Sequence, residues 1–269
     1  MKGRPTLPVA LTLGGSDSGG GAGIQADLKT FAALGVHGTS VITCVTAQNP
    51  KRVTHIQACH PKTVRKQIEA IFEEMPPAAA KTGMLFSGTV IDVVAEFLQA
   101  RQRPPLVVDP VMVATSGGRL LQPRALRALE KILPFAALVT PNIDEAKVLT
   151  ALEIRSEEDL RKAARCLQSR FGCAALVKGG HLRGSRQAVD LFFDGKTELL
   201  LCAPFIEGVA THGTGCVYSA AITAFLALGH DLPGAVRHSK DFVTQTIRHG
   251  YFASGHFVLN SLRQSRRSR

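Results

Sequence analysis

The chain has 269 residues, 45% of them hydrophobic, and a formal net charge of +11. That length buries one large core; the absence of an 18-residue apolar run, and an N-terminus reading Met1-Lys2-Gly3-Arg4-Pro5-Thr6, argue against a spanning helix and a secretory signal, so a cytoplasmic protein without a membrane partner is expected. Lys2, Arg4, Arg263, Arg266, Arg267 and Arg269 hold six of the charges and leave +5 for the body, and with no Trp and two Tyr the stacking equipment of a single-strand binder is missing, so no nucleic-acid partner is expected either.

Six cysteines (Cys44, Cys59, Cys166, Cys173, Cys202 and Cys216) form no C-x-x-C pair, which reads as reduced thiols rather than disulfides or a zinc site. The first element is the apolar run Val9 to Leu13, a buried parallel strand that stops at Gly14-Gly15. A polar loop from Ser16 to Gly23 follows, then a helix with Ile24, Leu28, Phe31 and Leu34 on one face, stopped by Gly35. The loop is neither a dinucleotide fingerprint nor a Walker loop, yet it sets Asp17 and Asp27 around the C-terminal end of a strand, where open α/β sheets bind ligands. A solvated or capping role for Asp27 is equally compatible with the spacing.

Thr39 to Ala47 is β-branched and strand-like and ends at Gln48-Asn49-Pro50, so Gln48 stands at a strand end where an amide can both donate to and accept from a heteroaromatic ring. Pro61 opens a helix that Pro76-Pro77 closes; Ala78 to Met84 reads as a buried strand, and Ser87 as the cap of the next helix. Leu106-Val107-Val108 delivers Asp109 to a strand end, a place for a carboxylate that holds hydrated Mg²⁺ beside phosphates. Ala137 to Thr140 ends in Pro141-Asn142 with Asp144 and Glu145 behind it, Ser156 and Asp159 form a capping box, and Ala174 to Val177 feeds Lys178-Gly179-Gly180-His181. Val189 to Phe193 and Thr197 to Cys202 form a hairpin around Asp194-Gly195, read as a type I′ turn on an antiparallel edge.

The turn Thr211-His212-Gly213-Thr214-Gly215-Cys216 runs into an apolar helix. Helix N-termini carry unpartnered N–H groups and partial positive charge, and Gly213 and Gly215 let a phosphate approach the backbone. The same field is expected to lower the Cys216 thiol and make it a candidate base; a small cysteine merely marking the start of a buried helix is the other reading. A last helix runs from Leu232 to about Gly250. The expected organisation is a single domain over 1–258, a three-layer α/β/α with a mostly parallel central sheet, followed by a basic, unstructured tail over 259–269.

Assembled, Gly15-Ser16-Asp17-Ser18 with Gly20 to Phe31, Ala47-Gln48-Asn49, Lys81-Thr82-Gly83-Met84-Leu85, Val108 to Met112, Thr140-Pro141-Asn142 with Glu145-Ala146, Lys178 to His181, and Thr211 to Cys216 carry a resemblance over nearly the whole chain up to about residue 250. The chain resembles the hydroxymethylpyrimidine and phosphomethylpyrimidine kinases of thiamine synthesis, in the ribokinase-like superfamily that also holds the pyridoxal kinases. The resemblance implies a pyrimidine pocket lined by Gly15, Asp27, Gln48 and Met84. It implies Asp109, Asn142, Lys178, Thr211 and Lys240 around the nucleotide, Asp109 and Glu145 on Mg²⁺, and Gly213, Thr214 and Gly215 as an anion hole beside the candidate base Cys216. ATP as co-substrate, a homodimer and a possible monovalent cation belong to the same implication. Pyridoxal kinase and a non-catalytic pyrimidine sensor are the alternatives. In one segment the chain departs from the family's common pattern: Met112-Val113-Ala114-Thr115-Ser116-Gly117-Gly118 lacks a lysine and an aspartate.

Overall fold

The structure, a computed structural model, describes residues 6–99, 103–112, 125–180, 182, 187–209 and 212–262. Nine strands make one sheet in the order β3-β2-β1-β4-β5-β6-β7-β8-β9. In chain order they are β1 (Val9–Asp17), β2 (His37–Asn49), β3 (Arg52–Ala58), β4 (Ala79–Thr82), β5 (Leu106–Val108), β6 (Leu138–Val139), β7 (Ala174–Lys178), β8 (Gln187–Phe193) and β9 (Glu198–Pro204). The six inner strands are mutually parallel, while β3 and the β8–β9 pair run antiparallel at the two edges. Short β5 and β6, wholly apolar, and β7, apolar up to Lys178, are what a strand covered on both faces requires.

Helices cover both faces. On one lie α2 (Pro61–Glu74), α3 (Gly88–Leu98), α4 (Leu126–Ile132), α5 (Ile143–Thr150) and α6 (Glu157–Phe171), which share an apolar cluster with Leu11, Ala80 and Val108 of the sheet. On the other lie α1 (Gly23–Ala33), α7 (Thr214–Ala227) and α8 (Leu232–Arg248). The expected three layers and mostly parallel sheet are therefore present. α7 is apolar all round because sheet, α1 and α8 enclose it; Ala220, Ala221, Ile222 and Ala224 are inaccessible to solvent. A bulkier side chain at Ala220 would overpack this seam and destabilise by about 1–3 kcal/mol. The winding reverses between β1 and β4, which makes the C-terminal ends of those strands the switch point where open α/β sheets bind ligands.

Local chemistry explains the helix boundaries. Ser87 accepts from the Val90 amide, Asp231 accepts from the Gly234 amide, and Asn142 with Glu145 and Ser156 with Asp159 form reciprocal capping boxes. Several expectations need correction. β1 does not stop at Gly14-Gly15: the register shifts there, with Thr43 the extra residue on β2, and the two strands stay paired to Asp17. The β8–β9 turn is not type I′: only Gly195 (φ 96) has positive φ, a type I′ turn needs two such residues, and Asp194 Oδ1 instead accepts from the Lys196 and Thr197 amides. The edge strand β3, α4, and the small hairpin of β10 (Tyr251–Ala253) and β11 (His256–Val258) are elements that the sequence pattern did not yield. The chain after 258 is docked as far as Ser261: the Asn260 amide donates to Thr246 O and Ser261 is buried. The remainder of the expected tail, 263–269, and the divergent 113–118 segment lie outside the described residues. Among the described residues no helix is long and apolar enough to cross a membrane.

Candidate active site

One cavity of about 1360 Å³ opens at the C-terminal ends of the parallel strands, over the switch point. Every sequence-derived site residue lines it except Thr211, which lies outside the described residues. The set divides into two ends, called here the phosphate end and the ring end after the roles that the resemblance implies.

At the phosphate end Gly213 is the N-cap of α7, with φ 84 and no side-chain cap. A Cβ there would lie 2.0 Å from the Gly21 carbonyl oxygen, so only glycine lets this turn nest against the 18–22 loop. The first helical hydrogen bond is Val217 N–H to Gly213 O; among the described residues no protein group accepts from the Thr214, Gly215 or Cys216 amides. Thr214 Oγ1 is buried there without a partner as well. Unpartnered donors at a helix N-terminus suit an anion.

Facing them, Asp109 follows β5 and is 3% exposed; it accepts from Lys178 Nζ (3.0 Å), Thr140 Oγ1 (3.1 Å) and Ser219 Oγ (3.3 Å). Gly215 lies against this pair: a Cβ there would be 3.4 Å from Lys178 Nζ and 3.7 Å from Asp109 Oδ2. Burial alone would lower Lys178, but Asp109 and Glu145 outweigh it and hold the ammonium above the ordinary lysine range. Burial pushes Glu145 up to about 7 and Asp109 adds to the rise, against Lys178 and the amides of Asn142 and Met112. Among the described residues there is no cluster of three or more His, Cys, Asp or Glu that could cage a metal. Two electrostatically coupled carboxylates beside an anion site fit a different demand, that of Mg²⁺, which keeps several waters and shares one or two carboxylates with substrate phosphates. Lys240, on α8, donates to Asp190 Oδ2 (2.7 Å) and Ala188 O (3.0 Å); the buried Tyr218 hydroxyl has no hydrogen-bond partner among the described residues, and burial, with the charge of Asp190, holds it well above the ordinary tyrosine range.

At the ring end Gly15 sits where a Cβ would be 2.8 Å from Cys44 Sγ and 3.3 Å from Met84 Sδ. Gln48 Nε2 is 3.5 Å from His212 Nε2, whose ring is 3.7 Å from Asp17 Oδ2. Asp17 serves the loop: its carboxylate accepts from the Gly19, Gly21 and Ala22 amides. Burial draws it upward, but His212 and those amides outweigh this and hold it below the usual carboxylate range. Asp27 is 2% exposed, with Lys81 Nζ at 2.9 Å on one oxygen and Thr12 Oγ1 at 2.7 Å on the other. Burial raises the Asp27 carboxyl above its ordinary range against these two donors, while Asp27 and Asp109 hold Lys81 above the ordinary lysine range against its own burial. Asp27 lines the cavity, but both oxygens already have protein partners.

The expected acid shift of Cys216 is corrected here. Burial pushes the thiol up to about 11, with Asp27 and Asp109 adding to the rise and outweighing Lys81 and the Gly23 amide. The helix-terminal field is real, but desolvation of a thiolate beside two carboxylates is larger. Sequence reasoning also passed over Lys81, His212, Tyr218 and Asp190 as functional positions. Lys81 had a signal, since an ionisable residue inside the apolar run from Ala78 to Met84 is rarely buried unless paired; Asp190 and Tyr218 sit in ordinary strand and helix patterns and had none.

The family model described as phosphomethylpyrimidine kinase matches residues 17–260. Hydroxymethylpyrimidine/phosphomethylpyrimidine kinases from Synechococcus elongatus and Streptomyces coelicolor are 43% and 46% identical, over 93% of this chain in each case and 98% and 92% of theirs. Among solved structures, a Bacillus subtilis pyridoxal kinase in complex with ADP is similar at a TM-score of 0.88 and 33% identity, covering 95% of this chain and 98% of that one. A Staphylococcus aureus pyridoxal kinase with AMP-PCP and pyridoxal follows at 0.86 and 32%, covering 96% and 94%. The phosphomethylpyrimidine kinase of Clostridium difficile superposes at 0.79 with 42% identity over 90% of this chain and all of that one. With a ribokinase-like α/β/α fold, a family model matching residues 17–260 and relatives of this identity along nearly its whole length, the chain belongs to the phosphomethylpyrimidine kinase family.

Proposed function

We propose that the protein transfers the γ-phosphoryl group of ATP to the hydroxymethyl group of 4-amino-5-hydroxymethyl-2-methylpyrimidine, and then phosphorylates the resulting monophosphate, in thiamine diphosphate synthesis. The observation that carries this reading is the row of unpartnered amides from Thr214 to Cys216, facing Asp109 and Lys178 across one cavity whose other end offers Gln48. In phosphoryl transfer, positioning and charge neutralisation do most of the work.

The Thr214, Gly215 and Cys216 amides receive the transferred phosphoryl oxygens, and Lys178 balances charge on the nucleotide side. Asp109 and Glu145 would hold Mg²⁺, which when bound neutralises the phosphates. Gln48 pairs with the ring, Gly15 gives it a face without a Cβ, and Met84 packs against it. Cys216 takes the hydroxyl proton as a thiolate; because its thiol rests protonated, it must first lose its own proton to solvent in the cavity that it lines. A homodimer in the cytoplasm completes the reading. Pyridoxal is the second substrate to weigh, because the structural neighbours at TM-scores of 0.88 and 0.86 are pyridoxal kinases.

The test is ADP release with hydroxymethylpyrimidine, its monophosphate and pyridoxal as acceptors. Turnover on both pyrimidines with a higher kcat/KM than on pyridoxal is expected. A preference for pyridoxal would replace the assignment with vitamin B6 salvage, and pyrimidine binding without any ADP release would make the protein a sensor.

A further inference from the structure

A fully buried ion pair lies directly under the proposed base. Ala10 and Thr12 of β1 and Ala79 and Lys81 of β4 alternate onto the face that carries α1 and α7, while Ala80 belongs to the core of the opposite face. Ala79 shares an apolar cluster with Ala220 and Ala224 of α7. Two residues further along β4, about 6.6 Å toward the cavity, comes Lys81. Four residues back along α7, about 6 Å in the same direction, comes Cys216. The register therefore brings the Lys81 ammonium beside the thiol. Lys81 is 0% exposed and Asp27 2%.

Stability gives no sufficient reason for this pair. Replacing a buried ion pair by apolar residues of similar volume is often neutral or stabilising, whereas leaving one partner alone is strongly destabilising. We propose that Lys81 is a positioning residue for Cys216: its buried ammonium, held by Asp27, whose other oxygen accepts from Thr12, is the counter-charge for the Cys216 thiolate, which exists once the thiol has released its proton to solvent and is consumed when it takes the hydroxyl proton. The functional part of this statement rests on the kinase reading above. The pairing itself does not.

The charged groups facing the thiol come from four elements: Asp27 of α1, Lys81 of β4, Asp109 after β5 and Lys178 of β7, with the Gly23 amide donating to the sulfur. Lys81 leads the influences that favour the thiolate, and Asp27 leads the partners that oppose it after burial itself. The pair thus acts on Cys216 with opposite signs, and the signs can be separated.

The experiment measures iodoacetamide alkylation of Cys216 by peptide mass spectrometry in the full chain without nucleotide, with exposed Cys202 as internal standard. Asp27→Asn leaves the lysine uncompensated, so Cys216 is expected to alkylate about tenfold faster at pH 8, the change that one pH unit makes in thiolate fraction. Asp27→Asn/Lys81→Gln removes both charges while keeping a pair that can hydrogen-bond, and because the Lys81 effect is the larger of two opposed ones, alkylation is expected to fall below the wild-type rate by less than about tenfold, with Cys202 unchanged in both. If Asp27→Asn does not fold, the double variant alone decides. Equal Cys216 rates in wild type and a folded double variant, or rates that move in the same direction in both variants, would overturn the proposal. A kinase assay run alongside separates the two readings: altered alkylation with no turnover on any acceptor removes the kinase assignment and leaves the Lys81–Cys216 pairing standing.

Discussion

Two glycine-rich turns meet backbone to backbone in this protein, the loop at 18–22 after β1 and the turn at 213–216 before α7. Each precedes a helix, and each aims several amides at one point. In the first, the point is filled by Asp17 of the chain itself, which takes the Gly19, Gly21 and Ala22 amides. In the second no group among the described residues enters, and the amides and the Thr214 hydroxyl have no protein partner there. Composition does not distinguish the two turns. An internal carboxylate turns one into a rigid wall of the cavity, and its absence leaves the other as a receiver for an external anion.

The comparison can be broken most severely at its chemical end. Cys216→Ala is expected to lower kcat by roughly 10²- to 10⁴-fold, the range of a lost general base, with the ATP dissociation constant nearly unchanged; an unaltered steady-state rate removes the thiol from the mechanism. Gly213→Ala strains a residue at φ 84 and drives a Cβ into the Gly21 carbonyl, so the open turn shifts. A fall of about 10²–10³ in kcat is expected, as for a misplaced oxyanion donor, read beside a circular dichroism spectrum showing a folded chain.

Asp17→Ala makes the filled turn resemble the open one. Three amides lose their acceptor, and a loss of about 3 kcal/mol is expected in urea denaturation. A variant as stable as the parent would mean that solvent can replace the carboxylate, and the contrast between the turns would lose its physical basis. The smallest effect concerns pH. Glu145 is pushed up to about 7 in the folded protein, so between its unfolded value and about 7 the unfolded chain has released a proton that the folded chain keeps. Stability therefore falls as pH rises through that window and levels off above it. In metal-free protein the decline between pH 5 and pH 8 is expected to be about 1–2 kcal/mol larger than in Glu145→Gln; parallel denaturation curves would show that Glu145 titrates normally.

Much of the site was legible because strand ends are short and local. Asp109, Asn142 and Lys178 each close an apolar run, and parallel neighbours necessarily deliver such residues to one edge. Capping chemistry was equally local, which is why the Asn142 and Ser156 boxes were readable. Edge strand β3 was not, since it buries no residue fully and its pairing with β2 supplies the order that its own pattern lacks. The partners Asp190 and Tyr218 of the Lys240 region were invisible because they come together only when β8 and α8 pack beside α7.

The sequence by itself determined most of the inner strands, the longer helices and the residues that end each strand at the cavity, because hydrophobic period, caps and glycines act within a few residues. The tertiary structure alone decided which charges are paired and how Cys216 titrates. Desolvation and long-range contacts such as Asp27 with Lys81, 54 positions apart in the chain, set those values, and neither is written in any local stretch.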